Sequence, residues 1–420
     1  MTLLVETPPG YEAEREYILG VVLHDWLGLD YERRTAERGD VQIAADGESV
    51  TLPDVLFSMP ADEWLTEASL PTLAALEQDA LGSAFFMLTR YEELARPDRD
   101  QHGRFPAAAS AAWREGCLGR PVVDERVDRL WEALQAAWPR LQRRPRAYEV
   151  VLTHDIDDPL ATLQHTPLDV VRQLGGDLVR RRDPRLAVSR VRSLLGDRGR
   201  DPNNTFDFLM EVSERHGLRG AFYFLAHRDQ VPRGGAYLFE HPWVRSLIGS
   251  IARRGHEIGI HPSFPTYRDA DLTREEIERL RRVADAEGVR QDEWGGRQHY
   301  LRWANPDTWR NWEAAGLAYD TTLAYSEAAG FRTGTCHPYR AFDLRERRAL
   351  DLREEPFQIM DVTLLSAMGL SLDAARETTL AIAAQCRRHH GRLGILWHNN
   401  TLLRSAREQQ WYASLIEAVA

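Results

Sequence analysis

Asp155 and Asp157 stand two residues apart at the end of an apolar run, in Thr-His-Asp-Ile-Asp (residues 153–157). Along an extended strand that spacing puts both carboxylates on one side. Two anions so placed repel and raise one pKa unless a cation or an arginine lies between them. A divalent metal held by one carboxylate, with the other free as general base, satisfies that electrostatics. His261, in His-Glu-Ile-Gly-Ile-His (256–261), can supply a neutral imidazole ligand of the kind zinc sites use. Such an ion polarises a carbonyl and lowers the pKa of a bound water. His398, in Trp-His-Asn-Asn (397–400), is a candidate acid for protonating a leaving amine. A fourth cluster, Arg-Gln-His-Tyr (297–300), ends another run. Carboxylates and imidazoles are costly to bury unless paired, hydrogen-bonded or metal-bound, so these clusters together point to one polar centre. The set suits metal-assisted hydrolysis of an amide.

The elements that must position these residues alternate between strand and helix from about Val151. Residues 148–156 read as a strand with its polar residues at the C-terminal end. Residues 203–220 read as a capped helix, then strand 221–226, helix Trp243–Arg254, strand 256–260 and helix 272–288. Helix 306–316, a short strand near Tyr319, strand 356–362, a long helix from Leu372 to His390, strand 393–399 and a terminal helix complete the chain. Repeated βα units imply a mostly parallel sheet or barrel with functional residues at the carboxyl ends of strands. An Arg/Asp-rich excursion, Arg172–Arg200, interrupts the series, and its run Arg180–Arg182 reads as a solvated helix face or a contact for a phosphate-bearing glycolipid.

Residues 1–146 have a different character. Tyr17–Leu29 is helical or mixed, and Val41–Pro53 carries an Asp-Gly between alternating residues, a hairpin signal. Two helical stretches follow, over 71–97 and 124–141, and the basic, proline-containing run Leu141–Arg146 marks a boundary. The expected organisation is a small α+β domain over 1–146 and a catalytic domain over 147–420.

Composition narrows the function. At 420 residues, with 43% apolar and 28% charged residues, the chain has the material of two or three globular domains. A formal charge of −11 argues against nonspecific affinity for nucleic acid or anionic membranes. The chain has no lysine, which excludes Schiff-base chemistry and a phosphate-loop lysine. Cys117, Cys336 and Cys386 form no CxxC pair, so neither a zinc ribbon nor a disulfide framework is indicated. The first residues lack a basic n-region, and no apolar run reaches membrane-span length. A cytoplasmic protein is expected, one that could work at the membrane face on a lipid-linked or nucleotide-linked sugar.

The ordered strand ends resemble the polysaccharide-deacetylase (NodB-homology, carbohydrate esterase) family, over roughly Val151 to Ala420. The resemblance implies an α/β fold, a distorted (β/α) barrel, and metal-dependent removal of an acyl group, in most members N-acetyl, from a sugar or glycan precursor. It makes Asp155 the base, Asp157 and His261 metal ligands, Arg297 the residue that orients the base, and His398 the acid. Tyr319-Asp320 resembles a further motif whose aspartate supports the acid histidine. The segments Gly82–Glu93 and Asp100–Phe105 resemble a leader domain of one bacterial branch, in which Gly334–Tyr339 (GTCHPY) also recurs. The family's second motif usually has another histidine four residues after the first, and here that position is Pro265, which has no ligand atom. His299 is then the favoured third ligand to zinc, with His337 and His154 as other candidates; strand alternation points His154 away from Asp155. Trp397, Tyr300, Trp303 and Trp294 are candidates for contact with a sugar ring, whereas His389-His390 reads as a surface pair closing a helix. The departure at Pro265 raises an alternative, a non-catalytic glycan-binding protein with an incomplete metal site. A glycosidase using two carboxylates ranks last, because it leaves the imidazoles without a role.

Overall fold

The computed structural model describes all residues except 164–166, 181, 228–236 and 402. Arg181, the middle of the expected arginine face, lies outside the described residues.

The N-terminal part holds a four-stranded sheet in the order β2-β1-β3-β4: β1 (Leu3–Thr7), β2 (Tyr31–Thr35), β3 (Val41–Ala45) and β4 (Glu48–Leu52). Asp46 and Gly47, both at positive φ, make the turn between β3 and β4, as the Asp-Gly pair predicts. Helix Val122–Ala137 packs beside β4, and helix Ala80–Leu88 packs against that helix.

The second sheet comprises β5 (Glu149–Ile156), β6 (Ala221–Phe224), β7 (Glu257–Ile260), β8 (Gly295–Gly296), β9 (Tyr319–Asp320), β10 (Tyr339–Asp343), β11 (Arg348–Glu354), β12 (Ile359–Met360) and β13 (Arg392–Leu396). Their order is β10-β11-β9-β8-β7-β6-β5-β13-β12, parallel throughout except that β10 runs antiparallel to β11. This is an open sheet, not the expected barrel. One edge is the two-residue β12, and the other is β10, which the N-terminal part has claimed. Tyr17 Oη donates to Arg340 O (2.6 Å), Trp26 Nε1 donates to Pro338 O (2.9 Å), and the Tyr17 ring lies 4.7 Å from that of Phe342. The hairpin β10–β11 falls where the βα rhythm predicted no strand.

Glycine makes room for aromatic rings on the sheet. A Cβ on Gly259 would sit 2.4 Å from the Tyr223 ring, and one on Gly295 would sit 2.4 Å from the Tyr319 ring. These two tyrosines meet there with hydroxyls 3.2 Å apart, beneath the polar strand ends. Asp269 caps its helix by accepting from Leu272 N (2.9 Å), and Ser405 and Glu408 form a capping box. The cap expected near 203–205 is missing, since Thr205 Oγ1 donates to Asn399 O (2.7 Å) instead. One apolar cluster runs through both parts of the chain, from Leu3 to Val419, and takes in Trp131, Trp138, Trp309 and Trp312.

Candidate active site

β5 alternates as its sequence dictates. Asp155 and Asp157 emerge on one side, while His154 turns to the other, where its Nδ1 bonds Trp397 O (2.8 Å) and its ring meets Phe222. Burial pushes the His154 pKa down to about 4. His154 is therefore no ligand to this centre.

Asp155 is held by Arg297, whose Nη1 donates to Oδ1 at 2.9 Å. The guanidinium is itself immobilised. Nε donates to Thr321 O (2.9 Å), Nη2 reaches Thr153 Oγ1 (3.0 Å) and Thr321 Oγ1 (3.2 Å), and the plane lies 4.2 Å from the centroid of Phe357. Arg297 and Asp155 are both buried, a pairing that offsets the cost of enclosing either charge.

Asp157, His261 and His299 converge. His261 Nε2 and His299 Nδ1 lie 3.3 and 3.4 Å from Asp157 Oδ1, and 2.8 Å from each other. His261 Nδ1 bonds Arg297 O at 2.6 Å, which turns Nε2 toward Asp157. Burial works against the Asp157 carboxylate, yet His299, His261 and His398 together hold its pKa well below the usual range. Asp157 Oδ1 is buried and makes no hydrogen bond among the described residues. One carboxylate oxygen and two imidazole nitrogens within 4.8 Å of one another are a donor set that fits a zinc-like ion.

Backbone geometry explains how His299 reaches the place that Pro265 cannot serve. His299 N donates to Pro262 O (3.1 Å), and Gln298 Nε2 donates to Pro262 O (3.1 Å), Ser263 O (2.9 Å) and Thr266 Oγ1 (2.7 Å). Tyr300 and Leu301 follow at positive φ, so the chain turns sharply after His299. Ser263 N and Oγ in turn bond the buried Glu276.

His398 is fixed by Asp361. Its Nδ1 bonds Asp361 Oδ1 (2.7 Å), its backbone N donates to Oδ2 (2.9 Å), and Nε2 stands 3.8 Å from Asp157 Oδ2. Burial lowers the imidazole pKa, but Asp361 first, then Asp157 and Asp155, raise it to about 10. The carboxylate bonded to His398 is thus Asp361, whereas Asp320 lies elsewhere in the sheet. Asp320 ends β9, separated from β13 by β8, β7, β6 and β5, whereas Asp361 directly follows β12, the neighbour of β13. Asp320 instead takes a hydrogen bond from Thr322 Oγ1, which accepts from Gln298 N (3.0 Å). It therefore braces the His299 turn from below.

The aromatic expectations need correction. Trp397 is buried against Trp411 and Tyr412, its Nε1 donating to Thr401 O (2.9 Å). Trp303 is buried against Trp309, and Trp294 precedes β8 at the far end of the sheet, near Arg281. None of these rings is offered to a ligand at the site. Tyr300 is, at 37% exposure. Its ring lies 4.8 Å from His299, 5.3 Å from Phe264 and 5.2 Å from His102 of the N-terminal part. Arg104 Nη1 donates to Tyr300 O (3.0 Å) and Arg302 Nε to His102 O (2.7 Å), so residues 102–104 form part of the rim. His337 lies away from the centre, beside Asp124, and His389 is buried rather than superficial.

Residues 3–139 match the model of a family of unknown function (DUF7033). No curated protein sequence matches the chain. Among solved structures, the chain is similar to a protein described as a polysaccharide deacetylase from Mycobacterium smegmatis, with 18% identity and a TM-score of 0.41 over 67% of this chain and 86% of that one. It is also similar to the Xyl-CE4 domain of a multidomain xylanase from the hindgut metagenome of Trinervitermes trinervoides (12%, TM-score 0.31, 66% and 82%). A third, described as a polysaccharide deacetylase from Pseudomonas aeruginosa PAO1, gives 14%, a TM-score of 0.39, and coverage of 65% and 87%.

Proposed function

We propose that the protein is a metal-dependent hydrolase that removes an acyl group, N-acetyl in the simplest case, from a sugar or glycan precursor. The observation that carries this reading is the triangle of Asp157, His261 and His299, flanked by Asp155, which Arg297 pins, and by His398, which Asp361 holds. A divalent ion held by the triangle would supply Lewis-acid polarisation of the scissile carbonyl.

The remaining work falls to the chain. Arg297 occupies Asp155 Oδ1 and leaves Oδ2 to take a proton from an attacking water. Asp361 holds His398 Nδ1 and favours the protonated ring, which places Nε2 to donate to the departing amine. The sugar carrier is supported by the motif resemblance, with Tyr300 at the rim as a face for a pyranose ring.

Acetate release from short N-acetylglucosamine oligomers and from nucleotide- and lipid-linked N-acetylated sugars tests the proposal, using zinc-loaded protein and an Asp155→Asn variant. Release by the wild type, reduced about 10²–10⁴-fold in the variant, is expected for loss of a general base. Equal inertness of both on all substrates, with zinc bound, would reject it.

A further inference from the structure

The segment Gly334–Tyr339 takes no part in the centre described above. Arg392 N, at the start of β13, donates to Cys336 O (2.8 Å), so Cys336 lies at the amino ends of the strands, across the sheet from Asp157. Asp124, in the first turn of helix Val122–Ala137, meets it there. Asp124 Oδ1 accepts from Thr335 Oγ1 (2.6 Å), and Oδ2 accepts from Cys336 N (2.9 Å) and faces Cys336 Sγ at 3.0 Å. One ring nitrogen of His337 completes a buried group whose three ligand atoms lie within 4.8 Å of one another.

A second observation, in the cavity that Asp124 and His337 line, points to a ligand there. His389 lines the same cavity of about 190 Å³ as Asp124 and His337. Its Nδ1 is engaged by Asp128 Oδ2 at 2.7 Å, and its buried Nε2 makes no hydrogen bond among the described residues. A carboxylate behind an imidazole with its other nitrogen free is the arrangement that orients histidine toward a metal.

We infer that Asp124, Cys336 and His337 form a second metal site, for a zinc-class ion, at the seam between the N-terminal part and the large sheet. Thiolate and imidazole favour such ions over magnesium or calcium. Bonds of about 2.0 Å to oxygen and 2.3 Å to sulfur at a tetrahedral angle span roughly 3.5 Å, within a small shift of the separation found here. Binding releases the Cys336 thiol proton to solvent, and the ion takes its place against Asp124. Carboxylate and thiolate then balance the divalent charge, so the site adds no net charge beside Arg146, which lines the same cavity. Asp124 comes from one part of the chain and Cys336 and His337 from the other, so the ion ties them together.

Cobalt(II) titration of the full chain separates this site from the candidate catalytic centre, which has no sulfur. A thiolate-to-cobalt charge-transfer absorption is expected in the wild type, retained in Asp157→Asn and lost in Cys336→Ser. Because Cys336→Ser could fail to fold, His337→Gln provides a second measure, with at least about 10-fold weaker cobalt binding at this band. Absence of the band in the wild type, its survival in Cys336→Ser, or unchanged affinity in His337→Gln would each overturn the inference. Acetate release reports on the other centre and does not enter this test.

Discussion

His299 Nδ1 lies 2.8 Å from His261 Nε2, and each faces Asp157 Oδ1. The second imidazole of the candidate metal centre thus arrives from the end of the next strand in the sheet, β8, and not from the loop that carries Pro265. Two nitrogens so close can share a single proton or one metal ion. His299→Ala should therefore weaken zinc binding at this centre by at least about 10-fold, while His154→Ala leaves it unchanged. Competition with a chromophoric chelator, in a Cys336→Ser background, measures both.

Asp361 sets the state of His398. Its carboxylate is the strongest influence raising the imidazole pKa to about 10, so Asp361→Asn should let that pKa fall toward its ordinary value of about 6.5. An acid must be protonated to act, so the alkaline limb of the kcat profile should move to lower pH. At pH 7 about a quarter of the imidazole would stay protonated, so kcat should drop about fourfold there and about tenfold more for each further pH unit below 10. A pH–rate profile with an unmoved limb would show that His398 is not the acid.

Glu93 holds the two parts of the chain together electrostatically. Its carboxylate receives Arg90 Nε (2.8 Å) and Arg332 Nη2 (2.7 Å), all three side chains being buried. Glu93→Gln would leave two guanidinium groups enclosed with too little negative charge, at a cost of about 3–5 kcal/mol. The midpoint of urea unfolding should fall accordingly, with unfolding by near- and far-ultraviolet circular dichroism still coincident.

Asp320 and Glu354 face each other across β9 and β11, and burial raises both pKa values, that of Asp320 to about 7. The folded chain then keeps protons that the unfolded chain would release. This contribution is fully present below a pH of about 4 and is lost as pH rises through about 7. Asp320→Asn should flatten that decline. Thermal unfolding of both proteins at several pH values between these limits tests it.

Much of the candidate site is legible in the amino-acid sequence. Alternation along β5 is enough to put Asp155 and Asp157 together and His154 opposite. His299 becomes a candidate because Pro265 leaves a ligand missing. Asp361 escapes such reasoning, although it ends a predicted strand, because its value depends on β12 lying beside β13, and strand order is a long-range property. The same blindness favours Asp320, whose sequence context is right and whose strand is remote. Trp303 and Trp397 show a third limit, since neighbours in sequence to a site residue can point into the core. The open sheet ends at β10, where Tyr17 and Trp26 of the N-terminal part make long-range contacts that no local pattern encodes.

The Arg332–Glu93 pair has an evolutionary consequence. A gene fragment encoding the C-terminal part alone leaves Arg332 without the Glu93 carboxylate, whereas Glu93 keeps Arg90 within the N-terminal part. Recombination that exchanged residues 1–146 for an unrelated segment would strand Arg332 and uncover β10 at once. The two halves are therefore expected to be inherited together and to drift as one, with substitutions at Glu93, Arg90 and Arg332 correlated between lineages.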